Sequence, residues 1–219
     1  MDLLDQLADP AADLLGRVDG ILVAAGAPDG HRLWPLLRQL RVLPGDAVHA
    51  VLALRSAPLA ATGAATRTHL GTYDEVGAAL ADGGSWQGPA AETFAAHRDA
   101  LRAYLVDGAE SLTGRLDATA AYADEVADWI ARTRSALART LGDVLGSAEA
   151  VTVVTARTGG GAPVELAAAE IGARVLATVA EAYDRAEALP GRWAPDLDEV
   201  AYRPPDGPAV RPDGGRIAL

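Results

Sequence analysis

Cysteine, lysine and asparagine are absent from this chain, and phenylalanine and methionine occur once each. Without Cys there are no disulfides, no thiol catalysis and no thiolate metal sites. All 19 basic residues are therefore Arg, against 30 Asp and Glu, for a formal net charge of −11. Such an acidic chain repels phosphate backbones, which argues against nucleic acid as a partner. No run of about 18 apolar residues occurs, so no membrane span is expected. The N-terminal stretch Met1 to Asp9 is acidic where a secretory signal needs positive charge. Export, if it happens, is expected by a route independent of a signal peptide.

Chemistry-bearing patterns are scarce as well. His31, His49, His69 and His97 never stand three or four positions apart, and no Glu-x-x-His or His-Glu-x-x-His occurs. No Ser lies in a Gly-x-Ser-x-Gly setting. Gly159-Gly160-Gly161 lacks the Lys-Ser/Thr of a phosphate loop and reads as a hinge. The acidic residues between Asp99 and Asp128 interleave with Arg98, Arg102 and Arg115, as on a solvated helix face. The expectation is a protein that is not an enzyme, with no cofactor and no metal.

What the chain does have is apolar periodicity at helical spacing. Asp9-Pro10 reads as the start of a helix carrying Leu14, Leu15, Val18 and Leu22, ended at 26–30 by Gly and Pro. A short helix with Leu33, Trp34 and Leu37 follows. Pro44-Gly45 breaks the chain, and Asp46 to about Asp82 forms the next helix. Pro58 predicts a kink, or a restart, near Ser56 to Leu59. After the turn at 83–89, a stripe runs from Phe94 to Val151 without an interior Pro. It predicts one helix of about 60 residues, about 90 Å long, which needs an antiparallel partner to bury its face. A last helix starts at Pro163 and ends at Leu189-Pro190-Gly191. The small, Ala-rich faces favour close, near-parallel helix contacts.

The fold class expected is therefore all-α: a long antiparallel helical hairpin, with short N-terminal helices and a third, C-terminal helix. The expected organisation is 1–45 for the short helices, 46–189 for the hairpin and third helix, and 190–219 for a Pro/Gly-rich tail from which Trp193 docks back.

Trp86-Gln87-Gly88 sits in the turn between two long helical patterns, followed by Pro89, Ala90, Ala91 and Phe94. Gly88 permits a tight turn, the small residues let the helices close, and Trp86 presents a large ring at the hairpin end. The plain alternative is that Trp86 only plugs the bundle. The segment resembles the WXG-motif (ESAT-like) family of helical hairpins exported by type VII secretion systems of actinobacteria. Residues 44–205 are most similar to the longer helical modules at the N-termini of secreted actinobacterial toxins. They share the Gly45-Asp46 start, the Trp-x-Gly turn, a long second helix, a Gly-rich break and a third helix. Pro58 departs from the pattern, and a short tail stands where those proteins carry a toxin.

The resemblance implies a second signal, Tyr-x-x-x-Asp/Glu, which Tyr183 and Glu187 match. It also implies function by helix–helix association, with another Trp-x-Gly protein or a second copy as the partner in a dimer, and a secretion ATPase as a further one. Secretion is the expected destination. The alternative is a cytoplasmic helical adaptor or chaperone-like protein without export.

Overall fold

The computed structural model describes residues 2–82, 86–156, 161–197 and 201–205. Among them every regular element is an α-helix: α1 (Leu3–Ala25), α2 (Leu33–Leu40), α3 (Pro44–Ala53), α4 (Ala57–Ala81), α5 (Pro89–Val106), α6 (Leu112–Leu145), α7 (Ala148–Thr155) and α8 (Gly161–Leu197). The chain divides into two compact units, one of residues 1–60 with 124–192, the other of 61–123 with 193–219.

The first unit holds the main core. From Ala167 to Ala182, α8 is buried on nearly every side, as expected of a helix that is apolar or small all round. Ile171, Val175 and Leu176 of α8 share this core with Leu15 and Val18 of α1, Leu33 of α2, Val51 of α3, and Leu137 and Leu141 of α6. Each such fully buried side chain contributes about 1.5–3 kcal/mol. Gly172 lets the helices approach closely: a Cβ there would sit 3.1 Å from the Pro44 ring and 3.4 Å from Leu22 and Leu33.

Helix α1 begins at Leu3, seven residues before the expected Pro10, which lies inside it. An interior proline costs a hydrogen bond and about 3 kcal/mol. The first turns persist because a capping box closes them, with Asp2 accepting from the Asp5 N–H and Asp5 accepting from the Asp2 N–H, and because Leu4 is fully buried. The same correction applies at the other end of the chain. Helix α8 passes through Pro190 and Gly191 to Leu197 rather than ending at Leu189. Beyond the proline, Arg192 pairs with Glu125.

Helix α3 stops at Ala53 and α4 restarts at Ala57 with Pro58 in its first turn, as the sequence predicts. The last carbonyls of a helix lack internal partners. Here Arg134 of α6, 6% exposed, donates from Nη1 to the carbonyls of Val51, Leu52 and Leu54 at 3.0–3.2 Å. Its other nitrogens reach Asp2 at 2.6 and 3.0 Å and Asp5 at 2.6 Å. One guanidinium thus ties α6 to the end of α3 and the start of α1, and it holds the Asp2 carboxyl down to about 2.

The single helix expected from Pro89 to Val151 does not form; three helices, α5, α6 and α7, take its place. The unbroken second arm of the hairpin is therefore corrected. At the first break, in the second unit, Gly108 has φ 91°, which L residues rarely adopt. Ser111, 1% exposed, donates to the Gly108 carbonyl at 2.6 Å and accepts from the Gly114 N–H at 3.1 Å. A Cβ at Gly114 would collide with the backbone of Ala109, so this turn is built for its glycines. At the second break, in the first unit, Ser147 caps α7 by accepting from the Ala150 N–H at 3.2 Å.

In the second unit, Gly77 of α4 lies against Val106 at the far end of α5. Tyr104 packs edge-on against Tyr202 at 5.4 Å, and Tyr122 lies tilted against Trp193 at 6.2 Å. Much of α4 and α5 is left exposed: only Gly63, Gly77 and Leu105 are buried among their described residues in this unit.

Candidate functional site

Of the turn expected at 83–89, residues 83–85 lie outside the described residues. Trp86, Gln87 and Gly88 are described. Trp86 is 60% exposed, and its ring leans on Phe94 at 5.9 Å between centroids, tilted by 53°. Phe94 is reached because Pro89 starts α5, placing residue 94 one and a half turns in. Gly88 immediately precedes α5 with φ 107° and ψ 174°, a region essentially confined to glycine. Its carbonyl accepts the Glu92 N–H at 3.1 Å, the first bond of the helix. Trp86 and Phe94 are thus two adjoining exposed aromatic rings in a chain of few aromatics. Val76 of α4 is exposed as well.

Tyr183 and Glu187 lie on α8 in the other unit, one turn apart on one face. Tyr183 stands edge-on to Trp129 at 6.3 Å, and the Trp129 indole N–H donates to the Ala182 carbonyl at 2.8 Å. The tyrosine ring is therefore held against Trp129 while 40% of the residue stays exposed. Both residues border a cleft of about 320 Å³ whose apolar surface comes from Leu40, Val42, Ala47, Ala50 and Val179. Gln39, Asp46 and Asp184 complete its rim. Gln39 donates to Asp184 at 3.1 Å. Sequence spacing placed Tyr183 with Glu187 but gave no sign that Asp46, at the start of α3, faces them. The Gly45-Asp46 pair was visible only as a helix start.

The approach of α3 to α1 is set beside this cleft. Asp19 of α1 accepts the Gly45 N–H at 3.0 Å, supplying a partner for the unbonded first turn of α3. A Cβ on Gly45 would overlap that carboxylate. Burial pushes the Asp19 carboxyl up to about 6; the Gly45 N–H opposes this, and nearby Asp46 adds to it.

The histidines have local tasks or none. His31 accepts the Leu33 N–H on Nδ1 at 3.1 Å, capping α2, which leaves Nε2 to donate to Glu170 at 3.2 Å. His97 donates to the Thr93 carbonyl of its own helix at 2.9 Å. His49 and His69 are exposed. Among the described residues no group of three His, Asp or Glu is placed to hold a metal ion, and no helix is long and apolar enough to cross a membrane. Comparison of the chain with protein-family models, with curated proteins and with solved structures finds no match.

Proposed function

We propose that this chain is a type VII secretion substrate, or a helical protein associated with such secretion, that acts by helix–helix association and not by catalysis. The observation that carries the reading is the exposed Trp86, leaning on Phe94 beside a Gly88 whose conformation only glycine adopts readily. Burying either ring in a partner removes large apolar area from water, the main driving force of most protein associations. The exposed Val76, Trp86 and Phe94 fit a helical partner, either another Trp-x-Gly protein or a second copy. In this reading the hairpin is made by α4 and the divided α5–α6 arm. Trp86 and Gly88 form one part of the export address, and Tyr183 with Glu187 forms the second, read by a secretion ATPase.

The test is Trp86→Ala expressed in a host with the secretion system. The expected outcome is a folded protein, by circular dichroism, that accumulates in cells and is missing from culture filtrate. Tyr183→Ala and Glu187→Ala should behave alike. Normal secretion of folded Trp86→Ala protein would refute the assignment. Wild-type protein that stays in the cell irrespective of the secretion ATPase would favour a cytoplasmic adaptor.

A further inference from the structure

We propose that the cleft bounded by α2, α3 and α8 docks a partner helix that presents an arginine beside an apolar side chain. This names the partner chemistry for the Tyr183–Glu187 segment and to that extent rests on the export reading above.

The charge around the cleft is one-sided. Asp46, Asp184 and Glu187 border it, and among the described residues no Arg or His does. Elsewhere in this unit, several carboxylates at helix contacts are matched by arginines: Glu170 by Arg32, Glu149 by Arg174, Glu125 by Arg192, and Asp2 and Asp5 by Arg134. Asp46 and Glu187 have no cationic partner among the described residues. Two unpaired carboxylates therefore stand over a surface that Val179 and Ala47 make apolar. A cation with an apolar stem complements both features.

Arginine fits better than lysine for three reasons. Asp184 and Glu187 are three residues apart on α8, so their carboxylates are neighbours on one helix face, and a planar guanidinium can bridge two acceptors where an ammonium is a point charge. Tyr183, 40% exposed and lining the cleft, offers an aromatic ring beside that plane. The guanidinium is also the more weakly hydrated cation and loses less on entering a half-apolar cleft. The site is partly preorganised, since Gln39 holds Asp184 and Trp129 holds the Tyr183 ring. A volume of about 320 Å³ lies at the small end of ligand pockets, which suits one arginine and one neighbouring apolar residue rather than a long groove-filling helix.

The test uses the purified full chain and a fluorescein-labelled amphipathic peptide of Leu, Ala and Gln with arginines at positions i and i+4, beside the same peptide with both arginines replaced by Gln. Fluorescence anisotropy should show saturable binding of the arginine peptide that weakens with salt. It should be at least tenfold weaker for the Gln peptide, and tenfold weaker for an Asp46→Asn/Glu187→Gln double variant that melts with wild type. Asp143→Asn, which removes an exposed carboxylate that does not line the cleft, should bind as wild type. Equal affinity for both peptides, undiminished binding by the double variant, or no saturable binding below about 1 mM would overturn the proposal. Asp46 lies outside the Tyr-x-x-x-Glu segment, which separates the two readings. Export lost in Tyr183→Ala but peptide binding unaffected by Asp46→Asn/Glu187→Gln refutes the cleft alone. Arginine-selective binding with normal export of Tyr183→Ala refutes the export role alone.

Discussion

Replacing Arg134 by Ala removes a side chain that bonds to α1 and to the end of α3 at once. Three carbonyls, of Val51, Leu52 and Leu54, lose their guanidinium donor, and Asp2 and Asp5 lose their cation. Breaking a fully buried pair costs about 3–5 kcal/mol. Asp2 is half exposed and water can recover part of its loss, so the low end applies, about 3 kcal/mol. For a chain of this size each kcal/mol moves the melting temperature by about 2–4 °C, giving a drop of about 6–12 °C near neutral pH. The pH dependence carries an independent check. Arg134 lowers the Asp2 carboxyl from 3.8 to about 2. A lowered carboxyl contributes stability above its unfolded value, and that contribution fades as pH falls towards the folded one. The full shift is discounted for screening at a half-exposed group, leaving about 1 kcal/mol. The gap between wild type and Arg134→Ala should narrow by that amount between pH 4 and pH 2. Thermal melts by circular dichroism across this range measure both effects. A variant melting within about 2 °C of wild type at pH 7, or a gap that does not narrow in acid, would refute the reasoning.

Three further outcomes follow from the contacts around α1, α3 and α5. Gly45→Ala should destabilise by about 1–2 kcal/mol, because the new methyl displaces the Asp19 carboxylate from the Gly45 N–H; in an Asp19→Ala background the same change should be neutral or stabilising, and urea titration of the four proteins reads the coupling. The raised Asp19 carboxyl, about 6 against 3.8, means the folded protein binds the extra proton, so this group's contribution is full below pH 4 and lost as pH rises through 6. Asp19→Asn should remove that slope, and urea midpoints at pH 4.5 and 7 that decline equally in both proteins would contradict it. Gly88→Ala should cost about 1–3 kcal/mol locally, since φ 107° with ψ 174° strains any L residue. Faster amide exchange at Glu92 and Thr93, in the first turn of α5, is the expected signal.

Where a helix boundary depends on local chemistry, it was legible. Pro89 stands at a first helical position as read, and the restart at Pro58 was anticipated, whereas Pro44, read as a chain break before a helix starting at Asp46, itself opens α3. The two breaks in the supposed long helix also left signals that the apolar stripe masked. Asp107-Gly108 is a turn dipeptide, and Ser111 and Ser147 stand directly before apolar or small helical residues, where N-caps belong. The stripe persisted across both breaks because a short interruption leaves the helical spacing along the chain almost unaltered on either side of it. In the candidate site, Tyr183 and Glu187 were legible as a one-turn pair, whereas Asp46 and Gln39 come from helices distant in sequence and carry no spacing signal.

By itself the sequence determined that the described chain is helical, because periodicity and proline–glycine punctuation act within a few residues. It determined also that thiol chemistry is absent and that negative charge dominates the chain. Only tertiary structure decided which prolines end a helix. Pro10 and Pro190 each forfeit one backbone bond, yet both helices continue, with buried Leu4 and the Arg134 clamp on one side and the Arg192–Glu125 pair on the other. Tertiary structure likewise made Arg134 a clamp, when in sequence it is one of 19 arginines, and brought Asp46 to the cleft beside Glu187. The cost of a proline or of a buried charge is local, but the contacts that offset it come from residues far along the chain, whose meeting depends on how the helices pack.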